Sequence, residues 1–275
     1  MPGSSTIKGR TRSTDRCAPG SSIGGVIQWA DEHFPYIDTD AHDAVYRFSL
    51  DVPVTEHVLI GDCLNLGGIG SHVIDDLIAQ YEEPVEAGLR SLGKHIDRLV
   101  KLTPDATIHW IWGNHDNRLQ RFARKHPAWR GIIDNPLQLL KGFGFCQNTN
   151  KVRIHQMDDP EESFSIGHMA FNHGHYTGKH CACQHVEAYG SSVTFGHSHT
   201  QQMFTTVKKG SIPIAGYTIG HMMSKEGRRY LNGRPHRWVT GFAYMEYDRK
   251  TGLFTQHLIP IVDGGFFWNG RRYGR

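Results

Sequence analysis

The sequence predicts an α/β domain with sheet layers covered by helices, on three observations. Apolar, strand-like runs alternate with helical patterns through the first half, and strand-like runs dominate residues 212–262. Each early apolar run stops at Asp, Asn or His. Polar residues at strand ends collect in one crevice, where open α/β sheets place their ligands.

The elements follow in order. Gly24–Ala30 is a buried-strand pattern ending at Asp31, and residues 38–50 have the spaced apolar positions of a helix. His57–Ile60 is a second buried strand, stopped by Gly61-Asp62. After Pro84, a residue suited to a first helical turn, Val85, Leu89, Leu92, Ile96 and Leu99 recur at spacings of four and three, one face of a helix. Ala106–Trp112 is a third strand ending at Gly113-Asn114, and a basic helix is expected from near Asn117 through Arg121 and Arg124. Residues 163–172 read as one strand ending at His173, and Gly178–Tyr189 as a helix. Strands are then expected at Val193, Ile212–Ile219, Trp238–Tyr247 and Gly252–Leu258, with a basic loop at 224–237.

Apolar residues make up 38% of the 275, enough for a sizeable core and too many for a disordered chain. No window approaches 18 continuous apolar residues, so no membrane span is expected, and the first residues lack a signal-peptide core. The five cysteines show no framework, which fits free thiols in a reducing cytoplasm. Cys181 and Cys183 are too close for a CxxC zinc knuckle. The net charge of +3 is unevenly placed: residues 1–20 carry +3, 224–239 carry +4, the last residues +3, and the remainder −7. An acidic body suits central cations, and basic extremities suit a polyanion at the edge, although a solvated tail and loop would look the same. Residues 1–22 read as a flexible basic arm.

The most informative stretch is Val193–His199, a short strand followed by Gly196-His197-Ser198-His199. Its partners stand at the other strand ends: Asp31 and His33; Asp62 within Gly61-Asp62-Cys63-Leu64-Asn65; Gly113-Asn114-His115-Asp116; and His173 and His175. Carboxylates, an amide and imidazoles together suit Mn, Fe, Zn, Co or Ni better than Ca, and a carboxylate can bridge two such ions.

These five motifs, in this order, resemble the calcineurin-like metallophosphoesterases, whose pattern is D-x-H, G-D-x-x-D/N, G-N-H-D/E, H and G-H-x-H. The resemblance covers roughly residues 24–220 and is strongest to compact members found in phage genomes, which carry His-Gly-His before a Gly-Lys-His such as Gly178-Lys179-His180. It implies a four-layer α/β/β/α sandwich with two central mixed β-sheets, formed by residues 23–275 as a single domain. It implies two divalent transition metal ions, Mn favoured, with Asp31, His33 and His199 on the first, Asn114, His173 and His197 on the second, and Asp62 bridging. His115 would face the substrate, and Asp116 would orient its ring. The implied activity is hydrolysis of a phosphate ester by a metal-activated hydroxide, diesters favoured. A nuclease holding nucleic acid with the basic loop and arm, a phosphomonoesterase or protein phosphatase, and a non-catalytic metal-bound scaffold are the alternatives. The implied location is a cytoplasm, the host's if the chain is phage-encoded.

Asn65 stands where the family often has Asp, and no ligand is expected to be lost by that change. Arg118, His175 and Lys179 are candidate substrate contacts, with a solvated helix arginine, a loop-bonding histidine and a surface lysine as the alternatives. Trp110 and Trp112 alternate and read as sheet core; Trp238 reads as a loop residue packed on the body, with nucleobase stacking as the alternative.

Overall fold

The computed structural model describes residues 21–70, 84–131, 133, 135–156, 164–207, 209–231 and 233–275. All but Ser21 and Ser22 of the expected basic arm, Cys17 included, lies outside the described residues.

Strand β1 (Ile23–Ala30) leads to helix α1 (Thr39–Ser49), then β2 (Glu56–Ile60), α2 (Val85–Leu102), β3 (Thr107–Ile111), α3 (Arg118–Lys125), α4 (Pro136–Gly142) and β4 (Val152–His155). Strands β5 (Phe164–Ile166) and β6 (Met169–Phe171) precede α5 (Cys181–Tyr189), β7 (Ser192–Phe195), β8 (Gln201–Thr206) and β9 (Ile214–Ile219). The chain ends in β10 (Gly241–Asp248), β11 (Phe254–Pro260), β12 (Phe266–Trp268) and β13 (Arg271–Tyr273).

The first sheet has the order β11-β10-β1-β2-β3-β4, and the second β5-β6-β7-β9-β8. Both are mixed: β1 to β4 run parallel with β10 antiparallel beside β1, while β6, β7 and β9 run parallel between antiparallel β5 and β8. The period of two along each strand assigns the layers. Ile27, Trp29, Leu59, Ile108 and Trp110 pack outward against α1 and α2, whereas Val26, Ala30, Val58, Ile60 and Ile111 pack inward on Met169, Phe171, Tyr217 and Ile219 of the second sheet. Helix α5 covers the far face through Cys181, Ala182 and Val186. The result is a four-layer α/β/β/α sandwich. A polar clasp also joins the sheets: Thr194 on β7 donates to Gln28 on β1 at 2.9 Å, and Gln28 donates to Gln256 on β11 at 2.7 Å.

Helix α2 forms for the reason its spacing gives. Leu89, Leu92, Ile96 and Leu99 are all buried, and each such side chain contributes about 1.5–3 kcal/mol by leaving water. Pro84 stands one residue ahead of the first turn, at the N-cap position, and makes no side-chain capping bond there.

One expected element divides in two. The single strand read over 163–172 is a hairpin, β5 and β6 paired Phe164 to Phe171 and Ile166 to Met169. Its turn is made at Gly167, whose φ of 58° would strain a residue with a Cβ. The basic stretch 224–237 contains a short 3-10 segment, Glu226–Leu231. Among the described residues, no helix is long and apolar enough to cross a membrane.

Candidate metal centre

Parallel strands all present their C-terminal ends to the same edge, so the motif residues meet there. Asp31 and His33 leave β1, Asp62 leaves β2, and Asn114 and His115 leave β3; His173 follows β6, and His197 and His199 follow β7. Two groups of donor atoms result, each within 4.8 Å among themselves: Asp31, His33 and His199 in one, and Asp62, His173 and His197 in the other. The groups adjoin, because the backbone N–H of His197 donates to Asp31 Oδ2 at 2.8 Å.

The backbone is bent to bring them in. Among the described residues eight that are not glycine have positive φ, and five of those are Asp31, His33, Asp62, His197 and His199. Such conformations are held only where the surroundings over-determine them, and they gather at functional sites. The motif glycines make the close approach possible. A Cβ on Gly113 would sit 2.2 Å from Asp62 Oδ1, and one on Gly196 would sit 2.4 Å from Asp31 Oδ2.

Hydrogen bonds fix which ring nitrogens face the carboxylates. His173 donates from Nδ1 to the Ile60 carbonyl at 3.1 Å, so its Nε2 faces Asn114 Oδ1 at 3.1 Å and Asp62 Oδ2 at 3.3 Å. His33 donates from Nδ1 to Asn65 Oδ1 at 3.2 Å, and its buried Nε2 has no hydrogen-bond partner. His199 Nε2 lies 3.0 Å from Asp31 Oδ1, and its Nδ1 is likewise unpartnered. Buried imidazole nitrogens gathered with carboxylate oxygens, one of them without a partner at His33, suit a cation site.

Electrostatics point the same way. Burial holds the imidazoles of His33 and His197 below the ordinary range, His33 well below it, so both offer lone pairs at neutral pH. Burial also works against a charged His173, but the Asp62 carboxylate outweighs it and holds that ring up at about 10 in the metal-free chain. Burial would raise Asp62 in turn; His173 and His115 more than reverse this and hold it well below the usual carboxylate range.

The sandwich brings all seven expected metal-site residues to one edge, and His115 with them. His115 N–H donates to Asp62 Oδ1 at 2.7 Å, and its ring stands 4.7 Å from that of His33.

The expected contact between Asp116 and His115 is not the one formed. His115 donates from Nδ1 to the Asn65 backbone carbonyl at 2.8 Å, so Asn65 orients the ring. Asp116 is fully buried and accepts from the backbone N–H groups of Gly113, Leu64 and Cys63, tying the β2 and β3 loops together. Burial, then the charge of Asp62, pushes its carboxyl up to about 7.

Asn65 is therefore the residue that sequence reasoning undervalued, since its amide fixes His33 and its carbonyl fixes His115. Arg118 is placed at the site: Nη1 donates to Asn65 O at 2.8 Å and Nη2 to His115 Nε2 at 3.1 Å. His175 is turned away onto α5, its Nε2 3.1 Å from the Tyr189 hydroxyl. Lys179 is exposed in the turn before α5, outside the helix. Trp238 packs edge-on to His199, ring centroids 4.2 Å apart, so the loop tryptophan borders the site.

No family model matches the sequence. The Gene 54 protein of Mycobacterium phage L5 is 23% identical over 265 residues, spanning 90% of this chain and 97% of that protein. Among solved structures, Vacuolar Protein Sorting 29 from Cryptosporidium parvum aligns with a TM-score of 0.44 at 12% identity, covering 92% of this chain and 99% of that one. A metallophosphoesterase from Sphaerobacter thermophilus aligns at 0.41 and 15% identity, covering 86% and 88%. The Pseudomonas putida nuclease MPE aligns at 0.35 and 12% identity, covering 80% and 82%.

Proposed function

We propose that residues 23–275 act as one metal-dependent phosphoesterase domain that holds two divalent transition metal ions, Mn favoured, and hydrolyses phosphodiesters. The observation that carries this reading is the pair of adjoining carboxylate–imidazole groups at the strand ends, each with its donor atoms within 4.8 Å of one another. Asp31, His33 and His199 would hold one ion, Asn114, His173 and His197 the other, and Asp62 both. Bound there, the ions supply charge neutralisation and water activation for attack on phosphorus.

The chain's own residues then have separable tasks. Arg118, planar and always charged, binds a phosphoryl oxygen at the open side of the centre. His115 keeps its proton on Nδ1 through the Asn65 carbonyl, and its Nε2 accepts from Arg118. When Arg118 turns to the phosphate, that nitrogen is freed to take up the proton the attacking water gives up and to pass it to the leaving oxygen. Asp116 acts as a positioning residue for the loops.

A nucleic-acid substrate is the second reading, and one observation favours it. The basic loop 224–237 is rooted beside the first metal group. Ser224 N–H donates to the Tyr36 carbonyl at 2.7 Å at one end, and Trp238 packs on His199 at the other. Lys225, Arg229, Arg234 and Arg237 are exposed between these anchors.

The test is hydrolysis of an activated phosphodiester and its matching monoester by metal-stripped protein reloaded with Mn, with His115→Ala alongside. The diester should turn over faster, and His115→Ala should retain metal while losing most turnover. Mn-loaded protein that cleaves neither ester would contradict the function. A fully active His115→Ala would contradict the role given to His115.

A further inference from the structure

We propose that Glu32, His42 and His95 form a third cation site, a closed zinc site that fastens α1 and α2 to the end of β1. Glu32 lies between Asp31 and His33 in the chain, but its side chain enters the helical layer. Glu32 Oε1 is 3.1 Å from His42 Nε2 and 3.4 Å from His95 Nε2, and the three donor atoms lie within 4.8 Å of one another. A tetrahedral zinc ion with bonds of about 2.0–2.1 Å separates its donors by roughly 3.3 Å.

The hydrogen bonds leave this space in need of a positive charge. His42 places Nδ1 2.9 Å from the Asp38 carbonyl, which can only accept, so in the neutral ring the bare Nε2 points at a carboxylate oxygen. His185 on α5 makes the same backward bond, from Nδ1 to the Cys181 carbonyl, but its Nε2 accepts a proper donor, the N–H of His175 at 3.0 Å. His42 has no such donor. His95 Nδ1 lies 2.6 Å from the Tyr46 hydroxyl, while its Nε2, despite its nearness to Glu32, has no hydrogen-bond partner. Glu32 Oε2 has no nitrogen or oxygen partner, although the Cys63 thiol lies against the carboxylate. All three residues are at least 97% buried, among Trp29, Phe34 and Tyr46, so no solvent takes up the deficit.

Two imidazoles and a carboxylate, with each ring anchored through its other nitrogen, are a donor set suited to zinc. Regular elements carry both histidines and the site has no opening, so the ion would enter during folding and exchange slowly. That separates it from the pair at the sheet edge.

The experiment is metal analysis of the full chain grown with zinc and dialysed against EDTA, in a background, Asp62→Asn with His199→Ala, that disables the edge. That variant should keep about one zinc per chain, and adding Glu32→Gln should remove it. X-ray absorption at the zinc edge should show nitrogen and oxygen neighbours near 2.0 Å. Should the triple variant fail to fold, His42→Gln in the same background replaces it, and zinc retained by that folded variant overturns the proposal. A folded edge-disabled variant that retains no zinc overturns the proposal, and so does a bound zinc whose spectrum requires a ligand set without imidazole.

Discussion

Two groups of histidines lie either side of the first sheet's leading edge. Those at the edge stand on loops: His33, His197 and His199 have left-handed backbone, and His115 and His197 reach solvent. Those under the helices stand on regular elements: His42 on α1, His57 on β2 and His95 on α2, all buried. Both groups have carboxylates beside them, so ligand chemistry alone does not separate them. Access and backbone do. Strained loops open to water can exchange ions and admit a phosphate, whereas imidazoles locked in a helical layer serve stability.

Substitutions that leave the helical layer untouched should break the edge. The largest effect is expected from Asp62→Asn, which removes a charge facing His173. Activity should fall by more than the roughly 10²–10³-fold lost with a single transition-state donor, and metal content should fall with it. Kinetics and elemental analysis on the same preparation check both; a variant that keeps full metal and near-normal turnover refutes the assignment. Gly113→Ala should come next, because its methyl would meet Asp62 Oδ1 at 2.2 Å. Metal affinity should drop, with a circular dichroism spectrum like that of the parent. An unchanged Mn dissociation constant would show that the loops yield without disturbing the ligands.

Arg118→Ala sharpens the comparison from the solvent side. With metal retained, kcat/KM for a diester should decline by about 10–100-fold, the weight of one charge-assisted contact to phosphate. Unaltered kinetics would return Arg118 to a role in the loop.

The smallest effect belongs to the helical layer. Burial lowers the His57 imidazole to about 3, while the unfolded ring titrates near 6.5. The unfolded chain therefore binds the extra proton first as pH falls below 6.5, and native stability drops until about pH 3. Between pH 6.5 and 5 this amounts to about 2 kcal/mol. Urea unfolding of metal-free protein should show that loss, reduced in His57→Gln. Equal pH slopes for the two proteins would contradict the sign.

Most of the residues that meet at this edge were legible in the sequence, because each candidate ligand follows an apolar run of strand length and a period of two fixes where the run ends. Asp31, Asp62 and Asn114 could be placed that way. The partner of His115 could not. Asn65 reaches it through a backbone carbonyl, which leaves no mark on residue identity, while Asp116, adjacent in sequence, points elsewhere. Strand β8 escaped notice because Gln201–Thr206 is an edge strand with no buried face, hence no apolar period. The β12–β13 hairpin carried a signal that was passed over: Asn269-Gly270, both with positive φ, is a favoured two-residue turn. Helix α4 carried another, Asn135 before Pro136, where the Asn side chain caps the helix by accepting from Leu137 and Gln138. Glu32, His42 and His95 have no common spacing, and only the packing of α1 and α2 on β1 brings them together.

The central claim is that two cations sit side by side at the strand ends with Asp62 between them. Anomalous diffraction at the manganese edge, from crystals of Mn-loaded protein, addresses it without any assay. Two peaks about 3.5–4 Å apart, flanking the Asp62 carboxylate, are the predicted result. A map with one peak or none at that edge, from protein shown to be folded and supplied with excess manganese, would contradict the account.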